Sequence, residues 1–299
     1  MTKPQLIPLS HLAILDVTGD DAQSFLQAQV PSDIRTLNPE KAQISGWCTA
    51  KGRLLTTFVI WPIDQGYRLV LAADVREAIA KRLKMFVLRL KVQITSASDQ
   101  VFGLMDSETR FGTMTLPVAE WQVTQENGIT AIRLDPTRIL LTGPQTHFMA
   151  LANEADVGPE NLWLRADITQ GFPLATQATS EHFVPQMVNL DKLGGVSFKK
   201  GCYPGQEIVA RTHYLGKIKR HLYRVSAQQA LTTGAEVRSI LLNGQACGSL
   251  LTVAPAADGS HWLGLAVLQQ DAAEGELIIS SGESQMPLTV IDLVLPDAG

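Results

Sequence analysis

Nine consecutive residues, Lys199-Lys200-Gly201-Cys202-Tyr203-Pro204-Gly205-Gln206-Glu207, gather two cations, a thiol, an amide and a carboxylate around two glycines and a proline. A cysteine there could act as a nucleophile or bind a metal, in either case as the thiolate. Apolar residues at Ile208, Val209 and Leu215, with Gly216 as a stop, predict a helix over 204–215 with Pro204 at its first position. Cys202 then stands just ahead of the positive end of the helix dipole, with Lys199 and Lys200 adding charge. A thiol so placed is expected to ionise more readily than a free one. Gln206 and Glu207 fall in the first helical turn and suit either a direct role or helix-start electrostatics. Tyr203 either packs or donates a hydrogen bond. His213, beside Tyr214, is expected to be structural.

Seven Lys or Arg (199, 200, 211, 217, 219, 220 and 224) face one carboxylate, Glu207, between Lys199 and Arg224. Such a patch could meet a phosphate backbone or a polycarboxylate tail, or form a solvated face. The aromatic residues that do fall among these cations, Tyr203, Tyr214 and Tyr223, do not read as an interleaved base-stacking platform. Lys51 and Arg53 form a second basic spot at a predicted turn, suited to an anion or simply exposed. Trp163 reads on the sequence alone as a core anchor before it reads as a flat apolar clamp for a ligand.

Composition narrows the class. With 299 residues, 45% hydrophobic and 18% charged, the chain can bury a large core. Its net charge of −4 excludes a general polyanion binder. Cys48, Cys202 and Cys247 are an odd, widely spaced set, which argues for a reducing compartment, against disulfides and against a zinc site. Cys48 and Cys247 lack the charged surroundings of Cys202 and are expected to pack. No signal peptide or apolar membrane span is read, so the expected location is the cytosol.

These groups need a scaffold. Leu12–Val17, Gln43–Cys48, Leu54–Trp61 and Gly66–Leu71 read as strands, the middle two forming a hairpin around the basic turn 49–53. Asp20-Asp21 are expected to start a helix, Asp74 to cap another carrying Val75, Ile79, Leu83 and Phe86, and Leu88–Ile94 to form a strand. Further strands are expected at 101–106 and 129–142, and helices at 145–152 and Leu162–Gln170. The segment 174–198 reads as an extended connection lining the site. Beyond Gly216, short alternating runs broken by Asn243-Gly244, Asp258-Gly259 and Ser281-Gly282 predict an all-β module closed into a barrel.

The run Lys200–Glu207 resembles the K-G-C-Y-x-G-Q-E signature of the YgfZ family, relatives of the glycine cleavage T-protein (aminomethyltransferase). The resemblance extends to Phe183-Val184-Pro185-Gln186, Asn189-Leu190, Gly194-Gly195, Ser197-Phe198-Lys199, Trp163 with Ile168 and Gly171-Phe172-Pro173, and Cys48–Arg53, and so covers essentially the full chain. It implies an α+β fold: residues 1–220 as a folate-binding region of two ferredoxin-like lobes, and 221–299 as a C-terminal β-barrel. It further implies a protein that acts with tetrahydrofolate or a related reduced folate in iron–sulfur protein maturation or repair. Through enzymes such as the MiaB-type thiotransferases this reaches tRNA modification, with a further link to replication initiation. Cys202 is the implied functional thiol, flanked by Lys200, Tyr203, Gln206 and Glu207. Trp163, Leu12, Lys51, Arg53 and Arg211 are the candidate folate contacts. Leu12 stands where the family has a second folate-contacting tryptophan, which changes the stacking on that side.

Three functions follow as alternatives. The first is an accessory factor using Cys202 in cluster biogenesis. The second is a folate-dependent aminomethyl- or methyl-transferase; the essential aspartate of T-proteins aligns with Ile79 here, and an apolar side chain cannot do a carboxylate's work. The third is a tRNA binder acting through 199–224, with weak tRNA contact as its minimal form.

Overall fold

Residues 54–61 are buried without interruption, the pattern of a strand covered on both faces rather than a half-solvated one. A computed structural model describes residues 3–107, 109–151, 153–216, 218–281 and 284–295. The chain divides into two units: residues up to Ser45 with Phe58–Glu160, and Gly46–Thr57 with the residues from Asn161 onward.

The strands before the signature are β1 (Gln5–Pro8), β2 (Leu12–Thr18), β3 (Gln43–Cys48), β4 (Leu54–Ile63), β5 (Gly66–Ala72), β6 (Gln93–Ser96), β7 (Gln100–Met105), β8 (Arg110–Phe111), β9 (Met114–Thr115), β10 (Val123–Glu126), β11 (Ile129–Arg133), β12 (Arg138–Gly143) and β13 (Asp156–Val157). The helices are α1 (Ala22–Gln29), α2 (Arg76–Lys84), α3 (Gln145–Ala150), α4 (Glu160–Gln170), α5 (Gln206–Tyr214) and α6 (Gln270–Ala273). The barrel strands are β14 (Arg220–Ala227), β15 (Glu236–Ser239), β16 (Gln245–Pro255), β17 (Trp262–Gln269), β18 (Leu277–Ser281) and β19 (Ser284–Leu293).

One sheet has the order β3-β4-β5-β2-β6 and another β10-β11-β12-β7-β1-β13. With their helices they are the two α+β lobes expected. In the first unit, β2 pairs antiparallel with β5 from Leu12↔Ala72 to Thr18↔Gly66. Arg68 on β5 grips Asp16 through Nε and Nη2, both at 2.8 Å, and Asp99 through Nη1 at 2.7 Å. The second sheet rests on Leu104, Ile129, Ala131, Ile139 and Leu141, joined by Phe148 of α3.

In the second unit, β14-β17-β16-β15-β18-β19 close into a barrel, and closure removes the unpaired edges an open sheet would expose. Bulges at Arg224/Val225, Val237/Arg238 and Leu250/Thr252 supply the bends. Val225, Val237, Cys247, Leu250, Ala266 and Leu268 fill the interior. Asn243 and Gly244 take φ of 54° and 76°, the left-handed pair expected, here ending a loop longer than two residues. Gly259 is also left-handed, and Asp258 Oδ1 accepts hydrogen bonds from the amide and hydroxyl of Ser260. The Ser281-Gly282 turn falls partly outside the described residues.

Several expectations are corrected. The helix predicted over 204–215 runs from Gln206 to Tyr214, with Pro204 in the preceding turn. The strand expected over Leu88–Ile94 begins only at Gln93. Leu88 has φ +49°, and short-range bonds from Leu90 to Val87 and from Val92 to Leu90 keep the chain in turns. Helix α2 is capped by Val75 with no side-chain bond, not by Asp74. The strand signals over 129–142 resolve into two strands, because Asp135 Oδ1 accepts from the amides of Thr137 and Arg138 and turns the chain. The 174–198 connection is wound into 3₁₀ turns at Gln177–Thr179 and Pro185–Val188 rather than extended.

Candidate functional site

All but one of the candidate site residues belong to the second unit. The exception is Leu12, the first residue of β2, which is half-buried and lines a cavity of about 510 Å³ within the first unit, together with Leu9, Arg76, Gln100 and Phe102.

The signature loop is set by one backbone contact. Gly205 caps α5 with φ +82°. A Cβ on it would lie 2.5 Å from the Thr49 carbonyl oxygen and 2.6 Å from Gly52 Cα. Gly52 is itself left-handed, and its own Cβ would lie 3.0 Å from Ile208 Cβ. Two glycine-containing turns far apart in sequence thus meet backbone to backbone, which only residues without a β-carbon allow. The basic turn is closed by Thr49: its N–H donates to Arg53 O at 2.8 Å, and its carbonyl accepts from Gly52 N at 2.9 Å. Arg53 spends Nη1 on the His182 carbonyl at 2.8 Å, while Lys51 is exposed.

Around this contact the signature side chains part company. Cys202 is exposed. It lies ahead of the helix as expected, in the loop three residues before the capping Gly205. Gly201 is open: a Cβ there would meet nothing within 4 Å. Lys200 is 6% exposed, a buried cation with Nζ 5.5 Å from the Tyr203 ring centre, within cation–π range. Tyr203 is buried too, and its phenol is pushed up first by burial and then by the nearby Cys48 thiol. Packing is thus the part of the Tyr203 alternative that the structure displays. Burial pushes the Cys48 thiol up to about 12. Gln206 and exposed Glu207 occupy the first turn of α5, and Arg211 is exposed in its last turn. Trp163 on α4 is 2% exposed, among the largest fully buried side chains. Among the described residues no cluster of three or more His, Cys, Asp or Glu could hold a metal.

Sequence reasoning missed several partners. Buried Gln186 donates Nε2 to Val209 O of α5 at 2.7 Å, and Asn189 donates Nδ2 to Val294 O at 2.9 Å. Both lie in the stretch 183–190 that carries the family resemblance, yet nothing in the chain's periodicity names their partners. Phe198 stacks on His213 with ring centres 3.7 Å apart, a contact with no local sequence signal.

The three cysteines are free, one exposed and two buried. Native protein treated with iodoacetamide at pH 8 is therefore expected to take up a single label, at Cys202, within the time denatured protein takes up three. Peptide mass mapping checks this. Appreciable native labelling of Cys48 would contradict its burial.

No family model matches the chain. It is 31% identical over 267 residues to the tRNA-modifying protein YgfZ of Vibrio atlanticus, covering 87% of this chain and 82% of that one. To the tRNA-modifying protein YgfZ of Photobacterium profundum it is 32% identical over 309 residues, covering 98% and 92%. Among solved structures it is similar to the glycine cleavage system aminomethyltransferase T from Bartonella henselae, with a TM-score of 0.71 and 14% identity over 97% of this chain and 85% of that one. At that identity the likeness speaks for the fold alone. Among the described residues no helix is long and apolar enough to cross a membrane.

Proposed function

Because the chain belongs to the YgfZ family, we propose that it is a folate-binding accessory factor of tRNA modification, serving the cytosolic biogenesis or repair of iron–sulfur enzymes that thiolate tRNA. The observation that carries this reading is the contrast among the three thiols: Cys202 alone is exposed, on a loop anchored by the Gly52–Gly205 contact. One cysteine cannot supply the four thiolates of an ordinary cluster. The cluster, or the sulfur destined for it, is therefore cargo or substrate, met transiently at Cys202.

The candidate folate contacts fit a folate unevenly. Lys51 and Arg211 are exposed cations suited to the carboxylates of a glutamate tail. Arg53 is partly committed to the His182 carbonyl. Trp163 is sealed, so it offers no open stacking face. A reduced folate would supply one-carbon or redox chemistry when bound; the chain's own part is to hold it and to present the thiol.

The test has two arms. Purified protein titrated with tetrahydrofolate should show a saturable change in tryptophan emission and a matching calorimetric isotherm. In cells lacking the endogenous protein, Cys202→Ala is expected to melt like wild type while thiolated tRNA falls to the level of the empty vector. Full restoration of tRNA thiolation by Cys202→Ala would remove the thiol from the mechanism. The transferase reading draws on the T-protein fold; against it, Ile79 is a 4% exposed core residue of α2 where T-proteins need a carboxylate. Formaldehyde release from an aminomethyl donor would revive it.

A further inference from the structure

Folding adds Phe198 to the adjacent rings His213 and Tyr214 and makes of them an aromatic corner. Phe198 and His213 stack face to face, centroids 3.7 Å apart and planes 18° from parallel. Tyr214 meets both rings edge-on, at 4.8 Å from His213 and 6.0 Å from Phe198. This aromatic corner is open to solvent: Tyr214 is 66% exposed and the adjacent Leu215 84%. His213 is exposed as well, and Phe198 half-buried. A ring cluster serving the core would be covered; this one leaves its apolar area in water.

Its chain neighbours are cations. Lys199 follows Phe198, Arg211 precedes His213 in α5, and Lys219 and Arg220 follow the helix; the first three are exposed. Lys217 lies outside the described residues. An apolar protein segment would find no use for so many exposed cations so near along the chain. Unstacked nucleotides use both features, bases stacking on rings and phosphates on Lys and Arg. We propose that the Phe198–His213–Tyr214 corner, with the exposed cations Lys199, Arg211 and Lys219 that flank it along the chain, receives the single-stranded nucleotides of a tRNA loop. The identity of the RNA rests on the family reading above; the stacking chemistry does not. The same helix begins at the signature, so RNA bound at its far end would sit on the element that follows Cys202.

The probe is a fluorescein-labelled anticodon stem–loop RNA, followed by anisotropy with the full chain at about 50 mM salt. Wild type should bind saturably, in preference to a blunt RNA duplex. Tyr214→Ala and His213→Ala should each weaken binding by about 5- to 100-fold, the loss of roughly one stacked base. Tyr214→Phe, which keeps the ring, should bind near wild type. Lys219→Glu should flatten the slope of log affinity against log salt by about 0.7 or more. Both ring positions are exposed, and a melting curve verifies folding. The proposal is overturned by wild-type affinity in both alanine variants, by a duplex that competes as well as the loop, or by no binding at low salt. A DNA loop of the same sequence that binds more tightly than the RNA also overturns it. Folate titration of the same samples keeps the two readings apart. A folate response without RNA binding sinks this proposal alone; ring-dependent RNA binding without a folate response supports it and sinks the folate assignment.

Discussion

Gly205→Ala is expected to destabilise the second unit by about 2–6 kcal/mol and to displace the signature loop. Two costs add. A non-glycine residue at φ +82° gives up roughly 1–3 kcal/mol to backbone strain. The new methyl would stand 2.5 Å from the Thr49 carbonyl oxygen and 2.6 Å from Gly52 Cα, and relieving such overpacking costs about 1–3 kcal/mol more. The atoms in the way are backbone, so no rotamer change relieves the clash. The basic turn must move away from α5, taking Lys51 and Arg53 with it. The expected readout is a Tm lowered by roughly 4–24 °C, together with faster alkylation of Cys48, which lies next to Thr49. Gly52→Ala should be milder, since its nearest contact would be 3.0 Å from Ile208 Cβ. Gly201→Ala is the control: its Cβ meets nothing, so its stability should stay within about 0.5 kcal/mol of wild type. Equal melting of Gly201→Ala and Gly205→Ala would refute the packing argument.

Arg138→Met in the first unit should cost about 3–5 kcal/mol at neutral pH, because it strands a charge that the fold has drawn out of water. The Arg138 side chain is 1% exposed and its Nε donates to Asp135 Oδ2 at 2.6 Å. Burial alone would raise the Asp135 carboxyl, but the guanidinium, by charge and hydrogen bond, and Thr137 outweigh it and hold the carboxyl below its ordinary range. A carboxyl depressed in the folded state contributes stability above its unfolded pKa, about 3.9, and loses it as pH falls through the folded value. The ion pair therefore stabilises the wild type at pH 7 and fades in acid below about pH 4. The gap between wild type and Arg138→Met should narrow over the same window, which urea melts at pH 7 and pH 3 would show. A gap that stays constant with pH would mean that Arg138 acts through packing alone. Neighbouring Arg133 ties the same β11–β12 turn by donating to Pro117 O at 2.6 Å and Pro136 O at 3.0 Å.

Strands and motifs were readable along the chain because they are local. The alternation and apolar runs at Gln43–Cys48, Leu54–Trp61 and Gly66–Leu71 lead to β3, β4 and β5 almost residue for residue. The turn pair Asn243-Gly244 announced its backbone angles because few residues tolerate them. The signature marked Cys202 and the family, since so specific a run needs no partner to be noticed. Positions that depend on residues distant in sequence stayed hidden. Pro204 looked like a helix start, yet the contact of Gly205 with the 49–52 turn moves the cap two residues on. Lys200 read as charge beside the thiol and is buried over Tyr203, and Trp163, open as core anchor or clamp, is sealed. Leu88–Ile94 had strand-like residues, but a left-handed Leu88 and the tie from Lys91 N to Asp21 Oδ2 at 2.8 Å hold it in turns. Periodicity reports which face of an element is apolar; it carries no information about which distant backbone comes to lie against it, and those long-range contacts set the loop that bears the thiol and build the aromatic corner at the far end of α5.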